Sequence, residues 1–211
     1  VAARRDAIAH LVAVDPVLAG LVERFGPPSQ TRDPSRPAPG DHYGALLRAI
    51  VGQQLSTRAA RAIYGRVLEF FDGRTPSPAQ VLAADPDALR AAAGLSRAKV
   101  TFLRSLAEHV ISGELELDRL HELPDEEIIA ELCAVKGIGE WSAHMFLIFQ
   151  LERPDVMAPG DLGIRRAVER AYGLPALPAP AEVLARAEPW RPYRSAACRL
   201  LWRSLDNTPA D

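Results

Sequence analysis

Apolar residues recur every three or four positions along almost the whole chain, with short polar stretches between the runs. That spacing predicts helices over residues 7–25, 43–71, 78–84, 86–93, 97–112, 125–135, 140–151, 162–172, 180–188 and 193–206. No stretch shows the period-two alternation of a half-buried strand, so the expected fold class is all-α.

Prolines punctuate the pattern. Pro27, Pro28, Pro34, Pro37 and Pro39 crowd one polar segment that reads as a linker, and "LPALPAP" at 174–180 separates two late helices. No internal repeat stands out, and short helices joined by brief turns suit a compact bundle better than a solenoid.

Composition narrows the class. A chain of 211 residues with 48% hydrophobic content can bury a substantial core. Only Cys133 and Cys198 occur, which rules out a four-cysteine zinc or iron–sulfur site and argues against a disulfide scaffold. Both cysteines read as buried packing residues. No run reaches the ~20 apolar residues of a membrane span and no signal-peptide pattern follows Arg4 and Arg5, so a cytoplasmic protein without membrane contact is expected.

The formal net charge of -2 is not that of a typical nucleic-acid binder, and any phosphate partner would require the basic groups to gather on one face. Among 25 basic residues only Lys99 and Lys136 are lysine. Arginine suits bidentate phosphate contacts, although a compositional bias of the genome explains the same excess.

The segment "LPDEEIIAELCAVKGIGEWSA" carries the first chemical signal. Asp125, Glu126 and Glu127 place negative charge in a first helical turn, and Ile128, Ile129, Leu132 and Val135 form its buried stripe. Gly137 falls where a helix end needs positive φ, and Gly139 leaves backbone amides open at the next helix start. Such a hairpin tip offers N–H groups to an anion, while an ordinary helix–helix corner is the plainer meaning of Gly-x-Gly. Downstream, Pro159 and Gly160 break the chain and Asp161 stands at the start of a new helix. By position alone, Asp161 is an N-cap.

Residues 132–174, "LCAVKGIGEWSAHMFLIFQLERPDVMAPGDLGIRRAVERAYGL", resemble the helix-hairpin-helix, Gly/Pro-rich loop and aspartate signature (HhH-GPD) of the base-excision DNA glycosylases. The similarity is greatest to the alkylpurine branch, 3-methyladenine DNA glycosylase II. "RAIVGQQLSTRAARAIYGRV" at 48–67 resembles that family's segment with the DNA-intercalating loop, and "WRPYRSAACRLLW" at 190–202 its closing helix. The resemblance spans about residues 43–202 in one order.

This resemblance implies a monofunctional enzyme that flips a damaged nucleotide out of double-stranded DNA and hydrolyses its N-glycosidic bond. Asp161 would be the essential carboxylate. Gln54, with Leu55 beside it, would fill the gap left in the stack. The hairpin Lys136, Gly137, Ile138 and Gly139 would clamp phosphate, with Arg165 and Arg166 in reach of the backbone. Trp141 and Trp202 match pocket aromatics, whereas two further aromatic positions of the best-known bacterial form are Met145 and Leu162 here. The lyase members carry a lysine at the position of Trp141, so no strand cleavage is implied.

No cofactor and no iron–sulfur cluster is implied, though in the family a monovalent cation, Na or K, often bridges hairpin carbonyls, here those of Val135 and Gly137, to phosphate. The architecture implied is the compact two-lobed helical form lacking an N-terminal β-rich domain, and a monomer. One lobe would span 41–153, the other 1–40 with 154–211, and DNA would lie in the cleft between them. Two other readings remain open: a non-catalytic binder of DNA structures using the same hairpin, and a glycosylase for deaminated or etheno bases.

Overall fold

The computed structural model describes residues 2–28 and 41–206. Among them every regular element is a helix: α1 (Ala2–Val14), α2 (Pro16–Phe25), α3 (His42–Gly52), α4 (Thr57–Phe70), α5 (Pro78–Ala83), α6 (Pro86–Ala93), α7 (Arg97–Ser112), α8 (Asp125–Ala134), α9 (Glu140–Phe149), α10 (Leu162–Ala171), α11 (Pro180–Ala187) and α12 (Arg194–Asp206), with single 3₁₀ turns at Leu117–Arg119 and Glu188–Trp190. None is long and apolar enough to cross a membrane. Pro34, Pro37 and Pro39 of the expected linker lie outside the described residues, and Pro28 is buried rather than solvent-exposed.

Local chemistry sets the helix ends, and twice it divides what periodicity alone had joined. The expected 7–25 helix breaks at Asp15, which caps α2 by accepting from the amides of Val17 and Leu18, with Pro16 at the first position. The expected 43–71 helix breaks at a turn after Gly52, and Ser56 caps α4. Ser77 and Gln80 form a capping box ahead of α5, Asp85 caps α6, and Ser96 caps α7.

The chain divides into two compact units, Asp33–Phe146 and Val1–Arg32 with Leu147–Asp211, so the second division falls inside α9. In the first, α7 packs on α3, α5 and α6 around fully buried Leu47, Ile50, Leu89, Leu103, Leu106 and Ile128. In the second, α12 packs on α1, α2 and α10 around Leu11, Leu18, Ile164, Trp190 and Leu201.

One polar cluster crosses the core of this second unit. Asp15 Oδ2 accepts from Trp190 Nε1 at 2.9 Å and from the Tyr172 hydroxyl at 2.5 Å. Burial pushes the Asp15 pKa up, but its side-chain and backbone donors outweigh that and hold it below the usual carboxylate range. Tyr172 is driven the other way, by burial and by the Asp15 carboxylate. Of the two cysteines, Cys198 is buried as expected, whereas Cys133 is exposed because it sits off the Ile128–Leu132 stripe.

Candidate active site

Between α9 and α10 the chain has no helix of its own. It is held along α12 turn by turn. Arg194 grips Asp155 through Nε to Oδ1 at 2.8 Å and Nη2 to the Asp155 carbonyl at 2.7 Å. Ser195 Oγ donates to the Arg153 carbonyl at 2.6 Å and accepts from the Val156 amide at 3.0 Å. Cys198 Sγ lies 3.5 Å from Met157 Sδ, in a setting that pushes the thiol pKa up to about 12 through burial. Trp202 Nε1 donates to Asp161 Oδ1 at 2.8 Å. Ser195, Cys198 and Trp202 follow one another at spacings that share a helix face, so α12 fixes the path of the loop up to Asp161.

Asp161 is the N-cap of α10, with extended backbone (φ -68°, ψ 123°), and its Oδ1 also accepts from the Ile164 amide at 2.7 Å. Two N–H donors and the positive end of a helix dipole therefore orient a half-buried carboxylate. Gly163 makes the arrangement fit. A Cβ there would lie 3.0 Å from Asp161 Oδ1 and 3.2 Å from the Trp202 ring. Phe149 supports the indole from one side, its ring stacked on Trp202 at a centroid distance of 5.5 Å, and Arg199 lies over Phe149 at 4.6 Å.

The other predicted residues of this unit are less alike. Leu162 is exposed beside the carboxylate. Arg166 is exposed, whereas Arg165 spends its Nε on the Pro178 carbonyl at 2.8 Å and so braces the 174–180 segment. That leaves Arg166 the better candidate for a phosphate.

In the first unit, the hairpin runs from the end of α8 to the start of α9. Gly137 has φ +86°, and a Cβ there would fall 2.2 Å from the Phe102 ring, so both backbone conformation and packing demand glycine. Ile138 is buried and donates its amide to the Val135 carbonyl at 3.1 Å, while the Lys136 side chain is exposed. Trp141, in the first turn of α9, is 51% exposed, and half-buried Met145 follows one turn later. The Gly137 carbonyl accepts from Gln53 Nε2 at 2.7 Å. The Val135 and Gly137 carbonyls each accept one hydrogen bond, which leaves a second lone pair on each oxygen for a cation.

Residues 47–192 match the family model described as HhH-GPD superfamily base excision DNA repair protein. The chain belongs to that superfamily. It is 36% identical over 197 residues to DNA-3-methyladenine glycosylase 1 of Schizosaccharomyces pombe, covering 92% of this chain and 85% of the relative. A solved structure of the 3-methyladenine DNA glycosylase of that yeast, in complex with abasic DNA, superposes with a TM-score of 0.81 at 33% identity, covering 98% and 99% of the two chains. A DNA-3-methyladenine glycosidase from Bacillus halodurans gives 0.80 at 34% identity, over 95% and 89%.

Sequence reasoning missed Gly163, Phe149 and the Arg194–Asp155 pair, all of which the geometry places around the Asp161 carboxylate or the loop that leads to it. Gly163 and Asp161 stand in one short run, "PGDLG", so proximity was visible there. Nothing in sequence indicates that Phe149 would reach Trp202, 53 positions away by number.

Proposed function

We propose that this protein is a monofunctional DNA glycosylase that removes alkylated purines of the 3-methyladenine type from double-stranded DNA and leaves an abasic site. The observation that carries the reading is the Asp161 carboxylate, fixed by the Ile164 amide and the Trp202 indole at the head of α10. As the base departs, the sugar develops positive charge, and a preoriented carboxylate stabilises it without reorganisation. Water then adds at the anomeric carbon and loses a proton, while the electrons of the broken C–N bond go to the base. A cationic methylpurine leaves as a neutral molecule, so no acid need protonate it.

Two features support the substrate class. An exposed tryptophan, Trp141, offers an electron-rich face on which a cationic base stacks more favourably than a neutral one. The relatives named above act, by their names, on 3-methyladenine in DNA. Trp141 also occupies the position where resemblance places the lysine of lyase members, which removes the amine that would attack the sugar. DNA contact is assigned to the amides of Gly137 and Gly139, since those of Lys136 and Ile138 already donate to Ser105 Oγ and the Val135 carbonyl, and to the Lys136 and Arg166 side chains, with Gln54 and Leu55 at the gap.

The test is release of free base from DNA treated with a methylating agent. Methylpurines released by wild type and not by Asp161→Asn, leaving abasic sites without strand breaks, support the reading. Tight DNA binding without release by wild type would replace it with a non-catalytic role.

A further inference from the structure

The turn between α3 and α4 is strained and firmly held. Leu55 N donates to the Gly52 carbonyl at 3.2 Å, closing a four-residue turn in which Gln53 has φ -53°, ψ 135° and Gln54 has φ +58°. That is the backbone of a type II turn with glutamine where glycine or asparagine is favoured. A non-glycine residue there is strained and persists only where its surroundings impose the conformation.

The surroundings can be named. Lys99, two residues into α7, donates its ammonium to the carbonyls of Val51 at 2.7 Å and Gln53 at 2.9 Å. It thus satisfies a helix-end carbonyl and the first corner of the turn together. The Gln53 side chain reaches the other way and donates to the Gly137 carbonyl at 2.7 Å. Three elements distant in sequence therefore meet at one turn, and Gln54 and Leu55 project from it, both exposed.

We propose that Gln53 and Lys99 are positioning residues for base flipping: they brace the exposed Gln54–Leu55 tip against α7 and tie it to the phosphate-binding hairpin, so that gripping the backbone and filling the stack occur in one register. This rests on the glycosylase reading above. Neither side chain is assigned contact with the lesion. Their effect is on the cost of extrusion, which is greater for a paired base and least for a base without a partner.

That dependence supplies the test. Duplexes carry one methylpurine of the kind wild type releases from methylated DNA, placed opposite its normal partner or opposite an abasic spacer. Gln53→Ala and Lys99→Met should slow single-turnover release from the paired duplex by about tenfold each, as expected for a lost hydrogen bond of ~1.4 kcal/mol. Release from the unpaired site should stay within about threefold of wild type. Lys99→Arg, which retains donors for both carbonyls, should restore paired-duplex release, and matching circular dichroism checks that the variants fold.

Equal slowing on both substrates would reduce these residues to scaffold and overturn the proposal. No slowing on either would overturn it as well. Failure of wild type to release any methylpurine would instead overturn the underlying glycosylase reading.

Discussion

Trp202 Nε1 donates to Asp161 Oδ1 at 2.8 Å, joining the last helix of the chain to the N-cap of α10. The pair explains why an aspartate that looks like a simple helix cap is held in one orientation: the same oxygen serves the Ile164 amide and the indole. Its carboxylate is directed by tertiary structure as well as by the helix.

Asp161→Asn tests the separation of these roles. Asparagine caps a helix about as well as aspartate, so the melting temperature should change little while base release is lost. Binding to abasic DNA, measured by fluorescence anisotropy, should remain near wild type. Loss of binding together with stability would mean that the residue acts only as a cap.

Trp202→Phe keeps an aromatic ring against Phe149 and removes the N–H donor. A hydrogen bond to a charged group is worth about 1.5–3 kcal/mol, so release should slow by at least about tenfold. Single-turnover rates at saturating enzyme measure this directly, and an unchanged rate would show that the Ile164 amide suffices.

Gly163→Ala places a methyl group within 3.0 Å of Asp161 Oδ1 and 3.2 Å of the Trp202 ring. Since the backbone there needs no positive φ, the effect should fall on activity rather than on folding. Release should drop while the circular dichroism spectrum and melting temperature stay close to wild type.

Acid should destabilise the fold through the Asp15 cluster. Its pKa lies below the ordinary carboxylate value of about 3.9, so the folded state binds its proton later than the unfolded state. The stability it contributes is present above that ordinary value and is lost as pH falls through the lower folded-state pKa. Wild-type melting temperature should therefore decline below about pH 4, and Asp15→Asn, already destabilised at neutral pH, should show a shallower decline.

Salt should weaken DNA binding steeply despite the net charge of -2, because Lys136, Arg58, Arg61 and Arg97 are all exposed on the unit that carries the hairpin. A slope near zero in a plot of log affinity against log salt would contradict a phosphate-dominated interface.

Much of this was legible in the chain itself. Helical periodicity, Asp-Pro and Ser-Pro helix starts, the Gly137 turn and the "PGDLG" run depend on nearest neighbours, and local sequence therefore determined the all-helical class and the positions of the hairpin and Asp161. Even the two misjudged helices, broken at Asp15 and after Gly52, carried their breakers in plain sight as Pro16 and the Gly52–Ser56 turn.

What sequence left undecided depends on side chains far apart in number. Periodicity cannot say that Trp202 turns its N–H toward Asp161 while stacking on Phe149, that Arg165 braces Pro178, or that Phe102 occupies the space beside Gly137. Nor can it join Lys99 and Gln53 to one turn. These choices follow from which helix faces pack together and which polar groups must be satisfied when they do, and only the folded chain brings those groups within reach.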